Sequence, residues 1–240
     1  MKKMFVCIFI FLCVFVPSKT YCTEISSKTS IIDDFNTLLV QDALEVILKK
    51  SNTNKVVVET EVDFQDNIII LNNNKKLSLK IKEDKNNSSL KKIFTAQPKV
   101  IIYVYYINIE EIFLSGASTL SSTEEIEDKS LLLILSGASV ANLNCNVDWL
   151  SVNCTGASKC ILTGKSEKLN LKCTGASNIN SKNLSSNIVD ADVSGASDVS
   201  LSAIKEMKII AAGASNVKYK VQYGTKISKT ISGASNVNKI

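Results

Sequence analysis

The chain has 240 residues, 28 basic groups, 23 acids and no histidine, for a formal net charge of +5. Every basic residue is a lysine, which excludes Ser-His-Asp and Cys-His catalysis, histidine metal ligands and bidentate arginine clamps on carboxylate or phosphate. Without Lys2, Lys3 and Lys19, 25 lysines (28 less three) face 23 acids, so the remaining charge is only about +2 and is no argument for nucleic acid, which would need a basic stripe.

The first 22 residues read as a signal peptide. Lys2 and Lys3 precede thirteen apolar residues, 4–16, and Pro17-Ser18 breaks the run. Thirteen helical residues span about 20 Å, short of a hydrocarbon core of about 30 Å. Cleavage fits after Cys22 or after Ser18. Lipidation of Cys22 is the competing reading, although Lys19-Thr20-Tyr21 lacks the small residue a lipobox needs. No later apolar run is long enough to cross a membrane, so no transmembrane segment is expected in the mature chain.

Residues 23–30 read as a polar leader. Residues 31–40 and 43–48 are apolar-rich and fit strand or a short capping helix. Residues 55–62 are a strand by their β-branched content. Residues 67–71 and 77–81 flank a turn at Asn72-Asn73-Asn74, residues 84–89 form a polar loop, and residues 99–107 are strongly strand-forming.

From there a tetrapeptide, Ser/Thr/Ala-Gly-Ala-Ser, recurs seven times. Its glycines are Gly116, Gly137, Gly156, Gly175, Gly195, Gly213 and Gly233, at spacings of 21, 19, 19, 20, 18 and 20 residues. A period near twenty marks a solenoid. Aligned on glycine, the residues two before, four before and four after are apolar in nearly every copy; those six after are more mixed, and polar residues fall between. This period-two alternation puts strands on both sides of each corner. One copy cannot bury its apolar column, whereas copies stacked as parallel strands can, at a rise of about 4.8 Å per coil. The fold expected is all-β: a single-stranded right-handed parallel β-helix with coils of about 20 residues, the hand following from the crossover rule. Residues 31–240 form this domain, with 31–112 as irregular N-terminal coils and 113–240 as the regular repeats. A separate small β domain over 31–112 is the alternative.

The seven glycines read as structural corners, where positive φ or close backbone approach excludes a side chain. The neighbouring serines are read as satisfying corner backbone groups. Asn178, Asp198, Asn216 and Asn236 lie three residues after the glycine in four of the last five coils, a ladder able to stabilise stacked turns or to meet sugar hydroxyls. Lys229 and Lys239 stand at positions that are apolar in most earlier coils, and read as end-cap lysines that block an exposed sheet edge. Cys154 and Cys173 share one inward column and Cys160 occupies another, as buried free thiols. Cys145 falls in a loop phase from which it could reach a neighbour. Phosphate-loop, zinc and calcium-nonapeptide motifs are absent. No cofactor is expected.

The pattern resembles the putative auto-transporter adhesin head GIN domain family. The resemblance is carried by Asp34-Phe35-Asn36, by Leu77-Ser78-Leu79-Lys80-Ile81, by the strand over 100–104, and by rungs such as Ile112-Phe113-Leu114-Ser115-Gly116-Ala117-Ser118. It covers about residues 31–240 and implies an exported β-helical domain of the bacterial envelope. It carries over no catalytic or binding residues. The expected function is a non-enzymatic envelope or surface protein binding a glycan or an envelope or host protein, as a monomer or small oligomer, in the periplasm, at the outer membrane or on the cell surface. A scaffold assembling through β-helix stacking and a carbohydrate-active enzyme are the alternatives.

Overall fold

The computed structural model describes residues 24–82 and 98–240; the signal peptide, Cys22 and the loop at 84–89 lie outside them. The N-terminal part comprises β1 (Ile25–Ile31), β2 (Thr37–Val40), β3 (Glu45–Lys50), β4 (Lys55–Glu61), a 3-10 helix (Val62–Asn67), β5 (Ile68–Asn73), β6 (Lys76–Ile81) and β7 (Ile101–Tyr106). The repeats supply β8 (Glu111–Leu114), β9 (Thr119–Ser122), β10 (Ile126–Leu135), β11 (Val140–Cys154), β12 (Lys159–Cys173), β13 (Asn178–Val193), β14 (Asp198–Ala211), β15 (Asn216–Val221), β16 (Lys226–Ile231) and β17 (Asn236–Lys239). From β8 onward all pairings are parallel, and the coils stack into a β-solenoid of about six turns.

The alternating apolar columns are the core. Leu133, Val152 and Ile209 (four before glycine), Leu135, Cys154 and Cys173 (two before) and Leu120, Ala141 and Cys160 (four after) are each completely buried. Registers such as Leu133↔Val152 and Val152↔Leu171 place like on like. Each inward aliphatic contributes about 1.5–3 kcal/mol by burial alone. The column opens only at the last coil, where Ile231 is 48 % exposed and Lys229 is exposed.

The N-terminal end follows a different order from the chain. The coil β2–β3 is sandwiched between β6–β7 on one side and β8–β9 on the other, all parallel to it. Its corner is Gln41-Asp42-Ala43-Leu44, with Asp42 at φ +66° where later coils have glycine. The carbonyl of Asp42 accepts the Ala117 N–H at 2.8 Å, and its side chain accepts the Ile81 N–H at 2.8 Å. Beyond β6–β7 the direction reverses: β5 runs antiparallel to β6, β4 to β7, and β1 to β4.

Two expectations change here, and one alternative closes. The polar leader contains a strand, β1, because Ser26, Lys28 and Ser30 pair along β4. The segments read as strand or capping helix are strands β2 and β3. Cys145 is no loop residue: it lies inside β11, fully buried and in register with Gly164.

Each regular coil also has a second bend, invisible in the glycine alignment. Two consecutive residues point outward there: Asp148 and Trp149 in β11, Glu167 and Lys168 in β12, Asn187 and Ile188 in β13. The phase resets, and the strand then runs into the next Gly-Ala-Ser corner.

Candidate functional site

Between this second bend and the glycine corner, every other residue faces out, because its neighbours fill the core. The outward residues are Trp149, Ser151 and Asn153 in β11, Lys168, Asn170 and Lys172 in β12, and Ile188, Asp190 and Asp192 in β13. Ladder registers align them in rows: Trp149↔Lys168, Ser151↔Asn170↔Asp190 and Asn153↔Lys172↔Asp192. Lys208 continues the middle row from β14.

These short polar side chains leave a groove of about 340 Å³ across four coils, floored by Leu171 and Ala191. A second depression of about 190 Å³ shares Ser151 and Asn170 with it and is walled by Trp149, Leu132 and Glu111. Trp149 is 58 % exposed, the single tryptophan of the chain. Lys168 joins the two halves: its Nζ lies 5.6 Å from the Trp149 ring centroid and 3.1 Å from Asp190 Oδ2. The Lys168 contact steadies the exposed indole. The arrangement offers a flat apolar ring beside donors and acceptors of both signs, repeated at strand spacing.

The residues singled out from sequence lie elsewhere. The seven corner glycines have φ between +70° and +81°. A Cβ on Gly195 would sit 2.4 Å from the carbonyl oxygen of Gly175 in the coil beneath. The alanine after each glycine donates its N–H to the glycine or Asp42 carbonyl of the preceding coil, at 2.7–2.8 Å. The serines of Gly-Ala-Ser turn inward and are buried in all but the last coil. Ser177 Oγ donates to the Thr174 carbonyl (3.0 Å) and lies 3.3 Å from the Gly156 carbonyl, and Ser197 repeats the pattern at Ser194 and Gly175.

Asn178, Asp198, Asn216 and Asn236 align in register on the strands leaving the corner. Among them one rung is joined, Asn216 Nδ2 to Asp198 Oδ1 at 3.1 Å. Lys229 reaches over the buried Tyr219, with Nζ 2.5 Å from its hydroxyl and 4.4 Å from its ring centroid; Lys239 is exposed and in register with Tyr219.

All four cysteines among the described residues are free and buried. Burial, with Glu125 nearby, pushes the Cys145 thiol up to about 12, and burial raises Cys173 to about 11. Cys160 donates to Cys154, which lowers the pKa of Cys154 and raises its own. Among the described residues no cluster of three or more Cys, Asp or Glu is placed to hold a metal. No helix among them is long and apolar enough to cross a membrane.

The groove and Trp149 escaped the sequence reading. The signal available was a lone tryptophan just before the inward column, at the one place where two outward residues adjoin.

Residues 34–222 match the family model described as putative auto-transporter adhesin, head GIN domain. The chain belongs to this family. No curated protein matches it. Solved structures show the same fold. A putative adhesin from Bacteroides fragilis is 18 % identical with a TM-score of 0.77, covering 90 % of this chain and 97 % of that one. A putative adhesin from Parabacteroides distasonis is 16 % identical with a TM-score of 0.69, covering 91 % and 98 %. A protein from the same organism described as a putative lipid binding protein is 12 % identical with a TM-score of 0.66, covering 90 % and 96 %.

Proposed function

We propose that this GIN domain is an exported, non-enzymatic binding module of the cell envelope or surface that holds a glycan chain along the groove beside Trp149. The observation that carries the reading is the exposed indole standing next to rows of Ser, Asn, Asp and Lys. The apolar face of a pyranose packs on an indole while its hydroxyls need donors and acceptors around them. Here Lys168 lies over the ring and pairs with Asp190, and Ser151 and Asn170 line both the groove and the depression beside Trp149. Rungs repeating at about 4.8 Å suit an extended polymer, whose weak contacts add along its length. Adhesin membership of the family supports a binding role. In the same proposal the glycine corners and the Asn178–Asn236 column are structural, and Lys229 and Lys239 close the C-terminal end against stacking.

Affinity electrophoresis in gels containing neutral polysaccharides (laminarin, xyloglucan, mannan, dextran) tests this. Retardation by at least one glycan should be lost in Trp149→Ala and weakened in Asn170→Ala. Retardation equal in wild type and Trp149→Ala would remove the site. Turnover of a glycan, abolished by Asp190→Asn, would replace the binding module by an enzyme.

A further inference from the structure

A second cluster lies on the strands leaving the corner, a different face from the Trp149 groove and independent of it. Tyr103 and Tyr105 alternate outward from β7, each half-buried. Across the sheet Tyr105 is in register with Lys49 of β3 on one side and Lys55 of β4 on the other. The Lys49 Nζ lies 4.4 Å from the Tyr103 centroid and 5.6 Å from that of Tyr105. The Lys55 Nζ lies 4.2 Å from the Tyr105 centroid. Among the described residues neither ammonium has a carboxylate within ion-pair distance; the neighbouring Glu45 is engaged by Lys99 at 3.3 Å.

This is an unusual way to hold lysines. A surface lysine normally either moves freely or pairs with an acid, and fixing it costs rotamer entropy. Here ring faces restrain two side chains while no acid among the described residues neutralises their charge. Two ammoniums thus bracket a flat aromatic surface. A planar or chair-shaped ring lying on the tyrosines would bring its own anionic substituent against one ammonium or both.

We propose that Lys49, Lys55, Tyr103 and Tyr105 form a second binding site, for an acidic polysaccharide bearing carboxylate or sulfate groups on its sugar rings. The tyrosines take the ring and the lysines take the anion. The row Glu45–Ile101–Glu59 bounds the site along the strand, with Glu45 paired to Lys99.

The test is isothermal titration of the purified domain with polygalacturonate and with dextran sulfate, with dextran as the neutral reference. At least one acidic polymer should bind at low salt. Lys49→Gln with Lys55→Gln should weaken it by at least about tenfold, the loss of one or more charge-assisted contacts. Raising salt from about 50 mM to about 500 mM should weaken the wild type and barely affect the double variant. Trp149→Ala should leave this binding unchanged, so its outcome is separable from that of the groove. The proposal is overturned if neither acidic polymer binds, if the double variant binds as wild type, or if dextran binding falls equally. It is also overturned if vesicles of anionic phospholipid bind through these lysines while both acidic polymers do not.

Discussion

Gly195→Ala is the sharpest test of how the coils stack. Two costs add at this position. An alanine at φ +80° is strained by about 1–2 kcal/mol. Its Cβ would also lie 2.4 Å from the Gly175 carbonyl oxygen and 2.9 Å from the Gly175 nitrogen, where ordinary contact begins at 3.4 Å. Relieving this moves two coils apart by up to 1.0 Å (3.4 less 2.4) and stretches the 2.8 Å bond from the Ala196 N–H to the same carbonyl. Overpacking and the weakened bond together cost about 2 kcal/mol. Gly224 is the internal control: its φ is +85°, yet nothing lies within 4 Å of a Cβ built there. Gly224→Ala thus carries the strain alone, and the entropy gained by removing a glycine from the unfolded chain cancels between the two. Urea unfolding followed by far-ultraviolet circular dichroism should place Gly195→Ala about 2 kcal/mol below Gly224→Ala. Equal stabilities within about 0.5 kcal/mol would refute the claim that close stacking adds to positive φ in selecting glycine at the corners.

Other outcomes follow from the same contacts. Ser177→Ala should lose about 1 kcal/mol in the same assay, since its buried hydroxyl donates to the Thr174 carbonyl; an unchanged midpoint would make the serine ladder a mere space-filler. Because burial raises the Cys145 thiol from 9.0 to about 12, the unfolded chain ionises first, and stability falls as pH rises above about 9. Between about pH 9 and 12 the Cys145→Ala variant should show a shallower decline than wild type, by up to about 1.4 kcal/mol per pH unit; parallel curves would mean the thiol is not protected. Lys229→Val with Lys239→Leu should raise the oligomeric state in analytical ultracentrifugation by exposing an uncharged sheet end. An unchanged sedimentation coefficient across a wide concentration range would deny these lysines an end-capping role.

The inward columns were legible because stacking repeats one environment every coil, so Leu133, Val152 and Leu171 announce each other. The corner at Asp42 was not, although Leu38, Val40, Val46 and Leu48 around it match the later columns. Aspartate tolerates the left-handed region and here also accepts the Ile81 N–H, so it replaces the residue on which the alignment was anchored. The placement of β6–β7 outside β2–β3 depends on contacts between segments distant in sequence, which no local pattern carries. The second bend was hidden for another reason. Counting from glycine assumes strict alternation, and the adjacent outward pair Asp148 and Trp149 shifts the phase by one; Cys145 precedes the shift and follows Ala141 and Leu143 in alternation into the core. The candidate site sits at that shift, and the clue was a tryptophan left outside.

The most direct measurement is the fluorescence of Trp149, the only tryptophan, during titration with the neutral polysaccharides. The account predicts that the glycan retarding the domain in gels shifts the emission to shorter wavelength and shields the indole from acrylamide. Binding of that glycan with Trp149 still fully open to acrylamide, or no binding by any member of the panel, would contradict it.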